Sequence, residues 1–322
     1  MKTKLLHLVA VGALMLSACS QDEVLNPLDK APVAMTFTAD ISSQLRTNTR
    51  VSGTAFEQND AVGIVAFVLD DSGTEATDLT QLNCKYVYDG TRFSSESPYY
   101  FRNLQEVKFK AYYPYRSNAE LNPERKFVIH ADAPHQTSAW QRTNDILYAE
   151  AAPTSVRRPQ VAFSGENHAF KHLMSRMTIE FRAGDGIPNL SLLSGYTLKG
   201  LYLTGTYEIG TRDIMADTGV SRSDLVMSVT GTATPSLSAA PVLLIPQEHT
   251  GQKIRIEVTY DEQVYKADLS LPPSSASGVN GALQKGHHYT FTVTVSKTGL
   301  SVGEVQIIDW TVESGTPATA TL

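Results

Sequence analysis

The residues in this chain best suited to metal or nucleophilic chemistry are eight histidines and two cysteines. His168 and His172 stand four apart, which on a helix would put both imidazoles on one face. His172, however, opens a run from Leu173 to Phe181 that alternates like a strand, so the spacing has no helix to act through. His287 and His288 are adjacent and point to opposite faces of an extended segment. Neither pair has further ligands at metal spacing, so surface or loop histidines are expected and no metal site is assigned. Cys84 has no histidine near it in sequence to activate it; a buried, small apolar residue is the expectation. Asp70-Asp71-Ser72-Gly73 is acidic but lacks the spacing of a calcium loop and reads as a solvated turn. No Gly-rich phosphate loop and no nucleophile elbow occur. Tyr99-Tyr100-Phe101 and Tyr112-Tyr113-Pro114-Tyr115 would stack on sugars if exposed, yet tyrosine also packs well in strands with its hydroxyl wet, and packing is favoured. With no convergent set of groups there is no catalytic residue and no cofactor to name, and a non-enzymatic protein is expected.

Cys19 is the residue with a specific chemical assignment. Lys2 and Lys4 precede an apolar run from Leu5 to Leu16, broken by His7 and Gly12 and too short to span a bilayer. Leu16-Ser17-Ala18-Cys19 follows and resembles the bacterial lipobox, whose small residues admit a peptidase and whose thiol takes up lipid. The expectation is a signal peptide over 1–18, cleavage between Ala18 and Cys19, and palmitate-type acylation of Cys19. Several acyl chains anchor stably, at about 0.8 kcal/mol per buried methylene. The polar, proline-containing stretch that follows makes 19–32 a lipidated tether. Cys84 is then the one cysteine left in the body, so no intramolecular disulfide forms and stability must come from burial.

The body reads as strands. Tyr289, Phe291, Val293 and Val295 alternate with threonines; Ile254, Ile256, Val258 and Tyr260 alternate with Lys253, Arg255, Glu257 and Thr259. Met177, Ile179 and Phe181 share one face of their run, and Val107, Phe109 and Ala111 share one face of another. Such period-two runs, punctuated by Gly, Pro, Asn and Ser, define an antiparallel sandwich class. Asp89-Gly90 reads as a hairpin turn, Asp261 to Gln263 as a link between strands, and Thr137 to Leu147 as room for a short helix or turn. A break in periodicity near Ala151 to Gln160 divides the body into domains at 33–157 and 158–322, and Pro272 to Gly281 reads as a loop. The net charge of −6 and the absence of a Lys/Arg block exclude nucleic acid as a partner.

Five phrases, in order, resemble the fimbrillin superfamily of Bacteroidota-type (type V) pilus subunits. They are Val33 to Ala39 with Thr49-Arg50 and Gln58 to Ile64; Phe109 to Tyr115; Asn144-Asp145-Ile146-Leu147-Tyr148-Ala149; Phe170-Lys171-His172-Leu173-Met174-Ser175; and Ile307-Ile308-Asp309-Trp310. The second half of the first phrase is similar to the family's Gly-Asp-x-hydrophobic-Gly, with Asn59 where Gly is usual.

The resemblance implies an all-β fold of two transthyretin-like Greek-key β-sandwich domains in tandem behind a lipoprotein signal peptide. It implies a structural fimbrial subunit that contributes to adhesion, held first at the cell outer membrane by its lipid and then in a fimbrium. The partners it implies are lipoprotein export machinery, an Arg-specific surface protease and other subunits, with a host or glycan ligand beyond them. Assembly in that family is by strand exchange, in which an open sheet edge accepts a strand from the next subunit. The removable strand here is Ala34 to Ile41, with Met35, Phe37, Ala39 and Ile41 facing one way. Arg46 and Arg50, in a polar segment just beyond it, are the expected cleavage sites. The tail from Thr311 to Leu322 offers little apolar material to donate, which inclines the expectation toward a tip or accessory subunit over a stalk one. The alternative is a monomeric surface lipoprotein that binds glycans or host proteins.

Overall fold

A computed structural model describes residues 32–41, 55–78, 81–249, 253–271, 281–310 and 318–320, the last three by backbone alone. Cys19, Arg46 and Arg50 lie outside the described residues, as does most of the Pro272–Gly281 loop.

The alternating runs become strands. In the first half they are β1 (Thr36–Ala39), β2 (Ala61–Leu69), β3 (Cys84–Tyr88), β4 (Arg92–Ser94), β5 (Val107–Tyr113), β6 (Lys126–His130), β7 (Leu147–Glu150), β8 (Gln160–Phe163) and β9 (Lys171–His172). A single short α-helix among the described residues, α1 (Ser138–Asn144), falls inside the stretch expected to hold one, with the Thr137 side chain accepting the Trp140 N–H at its start. The second half supplies β10 (Ser175–Ala183), β11 (Leu193–Leu201), β12 (Thr204–Glu208), β13 (Ile214–Ala216), β14 (Ser223–Ser228), β15 (Ile254–Tyr260), β16 (Gln263–Leu269), β17 (His287–Ser296) and β18 (Gln306–Asp309). A last strand, β19 (Ala318–Ala320), belongs to the tail.

The first sheet runs β8-β1-β19-β4-β3-β2-β5-β7-β9. Ile41, just past β1, bridges Phe170, just before β9, so the two ends of the sheet meet. Its inward residues form one core: Phe37, Phe93, Phe109, Phe163 and Phe170, with Ile64, Val62 and Tyr99. In the second core β10 and β17 run parallel, from Arg176 opposite His288 to Ala183 opposite Val295. A four-stranded sheet β14-β11-β15-β16 contributes Tyr196, Leu198, Ile256 and Val258 to the same buried cluster as Met177, Phe181 and Phe291.

The chain does not pass from one core to the other at 157/158. Val161, Phe163 and Phe170 still belong to the first core, and Leu173 opens the second. The Ala/Pro-rich segment is a crossing loop that delivers one more strand, β8, parallel to β1. The second core also draws on the first half: β6 pairs with β12, and Phe127, Ile129, Tyr112 and Val65 pack there. A charged seam supports this exchange. Glu150 accepts from Lys108, Tyr148 and Arg212, and Lys108 also reaches Glu75 at 2.9 Å. Burial raises the Glu150 pKa, but these three donors outweigh it and hold the carboxyl at about 2.

Local chemistry explains the tight turns. Asp261 and Glu262, both at positive φ (49° and 60°), form a two-residue loop between β15 and β16. Gln263, expected in the link, instead pairs with Tyr260 as the first residue of β16. Asp89 closes the β3–β4 hairpin by accepting the N–H groups of Thr91 and Arg92 at 2.8 and 2.9 Å.

Candidate functional site

The candidate site is the seat of the N-terminal strand. Met35, Phe37, Ala39 and Ile41 are all buried, while Thr36 and Thr38 on the other face are half-buried. This is the alternation expected, and it places the four apolar side chains in the first core. Phe37 lies at the centre, with ring centroids 5.0 Å from Tyr86 and Phe93 and 5.4 Å from Phe163. Full burial contributes roughly 1.5–3 kcal/mol for each of Met35, Phe37 and Ile41.

The backbone of the strand is held on both sides. On one, Thr36 to Ala39 pairs in parallel with Gln160 to Phe163. On the other, Thr38 and Ala39 pair antiparallel with Thr319 and Ala318 of β19, which also lies parallel to β4. The tail offers little apolar material, yet its backbone fills the seam between β1 and β4. Nothing in its composition points there, because small residues mark a strand weakly. The Met35 N–H donates to Tyr99 O at 2.8 Å, and the Tyr86 hydroxyl donates to Met35 O at 3.3 Å.

Asp40 is the exception in the seat. Its backbone N–H donates to Phe163 O and its carbonyl accepts from Phe170 N–H. Its carboxylate is buried, one oxygen has only the Gly165 N–H at 3.4 Å, and the other has no partner. Burial raises its pKa, with the Gly165 N–H opposing.

Two of the sequence phrases resolve into physical contacts around this seat. Asn59 stands where the family usually has Gly, and its φ of 75° is a left-handed conformation that asparagine tolerates better than other side chains. Asp60 next to it accepts the Glu57 N–H at 2.7 Å, the Tyr113 hydroxyl at 3.1 Å and the Arg142 guanidinium at 2.8 Å. Gly63 admits the Tyr112 ring: a Cβ there would lie 2.2 Å from it. Three distant phrases also meet at the junction of the cores. Asp145 Oδ2 and His172 Nδ1 are 2.8 Å apart, and the Trp310 indole stacks on the His172 ring at 3.8 Å with the planes 8° apart. Trp310 thereby ties the end of the second core to β9 of the first sheet.

The remaining candidates stay apart. His168 sits in a loop with Nδ1 2.7 Å from Glu150 O, so it does not converge with His172. His287 lies 3.4 Å from Asp309, while His288 faces Thr178 at 2.8 Å, on the opposite side of β17. Cys84 is half-buried, and burial, reinforced by the Asp78 charge, pushes its thiol up to about 11, away from thiolate chemistry. Asp70 closes a turn by accepting from Ser72 and Thr74. Tyr99, Phe101, Tyr112 and Tyr113 are buried, and Tyr100 is the exposed member of the two aromatic clusters. Among the described residues no group of three or more His, Cys, Asp or Glu side chains is gathered to hold a metal ion.

Comparison with known proteins agrees with this picture. Residues 49–310 match the fimbrillin-like family, and the chain belongs to it. Among solved structures it resembles a candidate cell adhesion protein of Bacteroides ovatus, at 23% identity and a TM-score of 0.65, over 88% of this chain and 100% of that one. A candidate cell adhesion protein of Bacteroides uniformis is similar at 22% identity and a TM-score of 0.60, over 87% and 99%. The tip fimbrial protein Mfa3 of Porphyromonas gingivalis, with a C-terminal truncation, shares 10% identity at a TM-score of 0.50, over 86% and 99%. At these identities the likeness is one of fold. No curated protein matches the chain.

Proposed function

We propose that the chain is a structural subunit of a surface fibre, exported as a lipoprotein and assembled when its N-terminal strand is removed and replaced by a strand from another subunit. The observation that carries the reading is the seat of β1. The short segment 35–41 around this strand places four buried side chains in the first core and none in the second. It lies between Cys19 on one side and Arg46 and Arg50 on the other. Cleavage after Arg46 or Arg50 by an Arg-specific protease would separate lipid and strand together from the body. The vacated seat would present apolar pockets and unpaired backbone groups, the two elements that recognise an incoming strand. The cis engagement of β19 with β1 and β4 supports a tip or accessory position, since that part of the tail is already paired.

N-terminal sequencing of assembled fibres tests this directly. A start at Thr47 or Val51 is expected; fibres whose subunits begin at Cys19 would refute strand removal. Electrophoresis without boiling adds a second reading. A subunit of a strand-exchanged fibre gives a ladder, and a single monomer band would return the chain to the monomeric, ligand-binding class of surface lipoprotein.

A further inference from the structure

Arg157 and Arg158 stand side by side and exposed in the crossing loop, and Pro159 follows them. Pro159 has no N–H and a fixed ring on the leaving side of the 158–159 bond, which makes that bond a poor protease substrate. The 157–158 bond has no such protection in its sequence. Its protection is conformational, because a protease takes its substrate extended and this bond lies in a closed turn. The Arg158 N–H donates to Ser155 O at 2.8 Å, and the Thr154 hydroxyl donates to Arg158 O. Before the turn, Thr154 is anchored to β5: it donates to Val107 O at 2.9 Å and accepts from Val107 N–H at 2.7 Å. After the turn, the anchor is β1. The Thr36 N–H donates to Pro159 O at 3.1 Å, and β8 ladders with Thr36 to Ala39. β8 ends the sheet, and among the described residues no other strand lies beside it. Farther on, the Asp40 N–H donates to Phe163 O at 3.0 Å, the Phe170 N–H donates to Asp40 O at 2.9 Å, and the Gly165 N–H reaches the Asp40 carboxylate at 3.4 Å. The Phe163 ring meets Phe37 edge-on at 5.4 Å. Other holds on 159–170 are the His168 imidazole at Glu150 O and the side chains of Val161 and Phe170 in the first core.

We propose that the 157–158 bond is a latent cleavage site for an Arg-specific protease, closed while a strand occupies the β1 seat and opened when the seat is empty. Withdrawal of β1 removes the backbone partners of Pro159, β8, Phe163, Gly165 and Phe170 together. The far side of the turn then opens as a local unit while the second core stays folded. A replacement strand that pairs with β8 closes the site again. In the cell this rests on the strand removal proposed above. There it would act as a check on assembly, since a subunit that loses its strand and gains no other is cut within its first sheet by the kind of protease that released the strand.

Limited digestion with a purified Arg-specific endoprotease tests the lock, with cleavage at 157–158 followed by intact mass. The substrate is the full chain behind its signal peptide, carrying Cys19→Ser, with Arg46→Lys/Arg50→Lys to keep β1 covalently in place. In this background the cut is expected to be slow. Adding Phe37→Ala, which loosens β1, should accelerate it at least ten-fold. Adding Thr36→Pro instead, which deletes the N–H on Pro159 O and leaves Phe37 in place, should accelerate it at least three-fold. Adding Phe291→Ala, which weakens the second core, should leave the rate within two-fold of the background. Unchanged cleavage in both β1 variants, or acceleration by Phe291→Ala equal to that by Phe37→Ala, overturns the proposal. Because β1 is never cut off in these chains, the result stands apart from whether fibre subunits begin at Cys19.

Discussion

β1 buries Phe37 as completely as β10 buries Phe181, but the two strands are fastened in different ways. β10 lies along β17 from Arg176 to Ala183 and has further neighbours on its other side. Its side chains knit two sheets into one cluster. β1 has four residues, a parallel neighbour on one side and a fragment of tail on the other. None of its side chains enters the second core. Burial alone therefore does not decide how hard an element is to withdraw. The number of other elements that must come apart with it does, and such differences define separately opening regions of a fold.

Substitutions can break this contrast. The largest expected effect is that of Phe37→Ala, which should cost about 3–5 kcal/mol. Its signature is local: amide exchange should accelerate in β2, β3 and β5 while β10 and β17 keep their protection. Phe291→Ala should cost a similar amount with the opposite distribution. Equal loss of protection in both cores after either change would mean that they open as one unit.

Glu150→Gln probes the seam between the cores and should cost about 1–3 kcal/mol, since Lys108, Tyr148 and Arg212 share that acceptor. The folded carboxyl is held below its ordinary 4.5, at about 2. Its contribution is thus complete above pH 4.5 and is lost as pH falls through about 2. Thermal melts of wild type and variant should converge over that window; a constant gap down to pH 2 would show that the charge is not the source.

The smallest effect sharpens the contrast on β1 itself. Asp40 has its folded pKa raised by burial, so the docked strand is favoured while the group is protonated, below pH 3.8, and that advantage is lost as pH rises through the folded value. At neutral pH Asp40→Asn should hold β1 more firmly, by about 1 kcal/mol or less. Slower exchange of the Phe37 and Ala39 amides is the expected result, with the difference closing in acid.

Much of this was legible in the sequence where side-chain period carries the information. Met35, Phe37, Ala39 and Ile41 were assigned to one face by alternation, and they share one core. The hairpin at Asp89 followed from turn chemistry, and the helix after Thr137 falls within the stretch left open for a short helix or turn. The partner of a strand is a different matter, because alternation fixes which face is buried and says nothing about which neighbour supplies the backbone. That is why the pairings of β6 with β12 and of β19 with β1 were not foreseen. The changeover between cores was misplaced for a related reason. Pro and Ala near 151–160 mark a loop, and a loop can return to the sheet it left. The contact of Asp145, His172 and Trp310 was half-visible: each lay in a phrase tied to the family, but nothing in their spacing said that they touch.

The placing of β19 has a consequence in time. The first sheet sets residues 36–39 beside 318–320, nearly the whole length of the chain apart. A polypeptide made from its N-terminus has most of that sheet in hand early, yet cannot fill the place between β1 and β4 until residues 318–320 are available. The pairing of β6 with β12 imposes a milder delay of the same kind. Contacts so remote in sequence form slowly. Until residues 318–320 dock, the first sheet keeps an open slot between β1 and β4, so the tail acts as a late-arriving keystone for strands that are complete long before it.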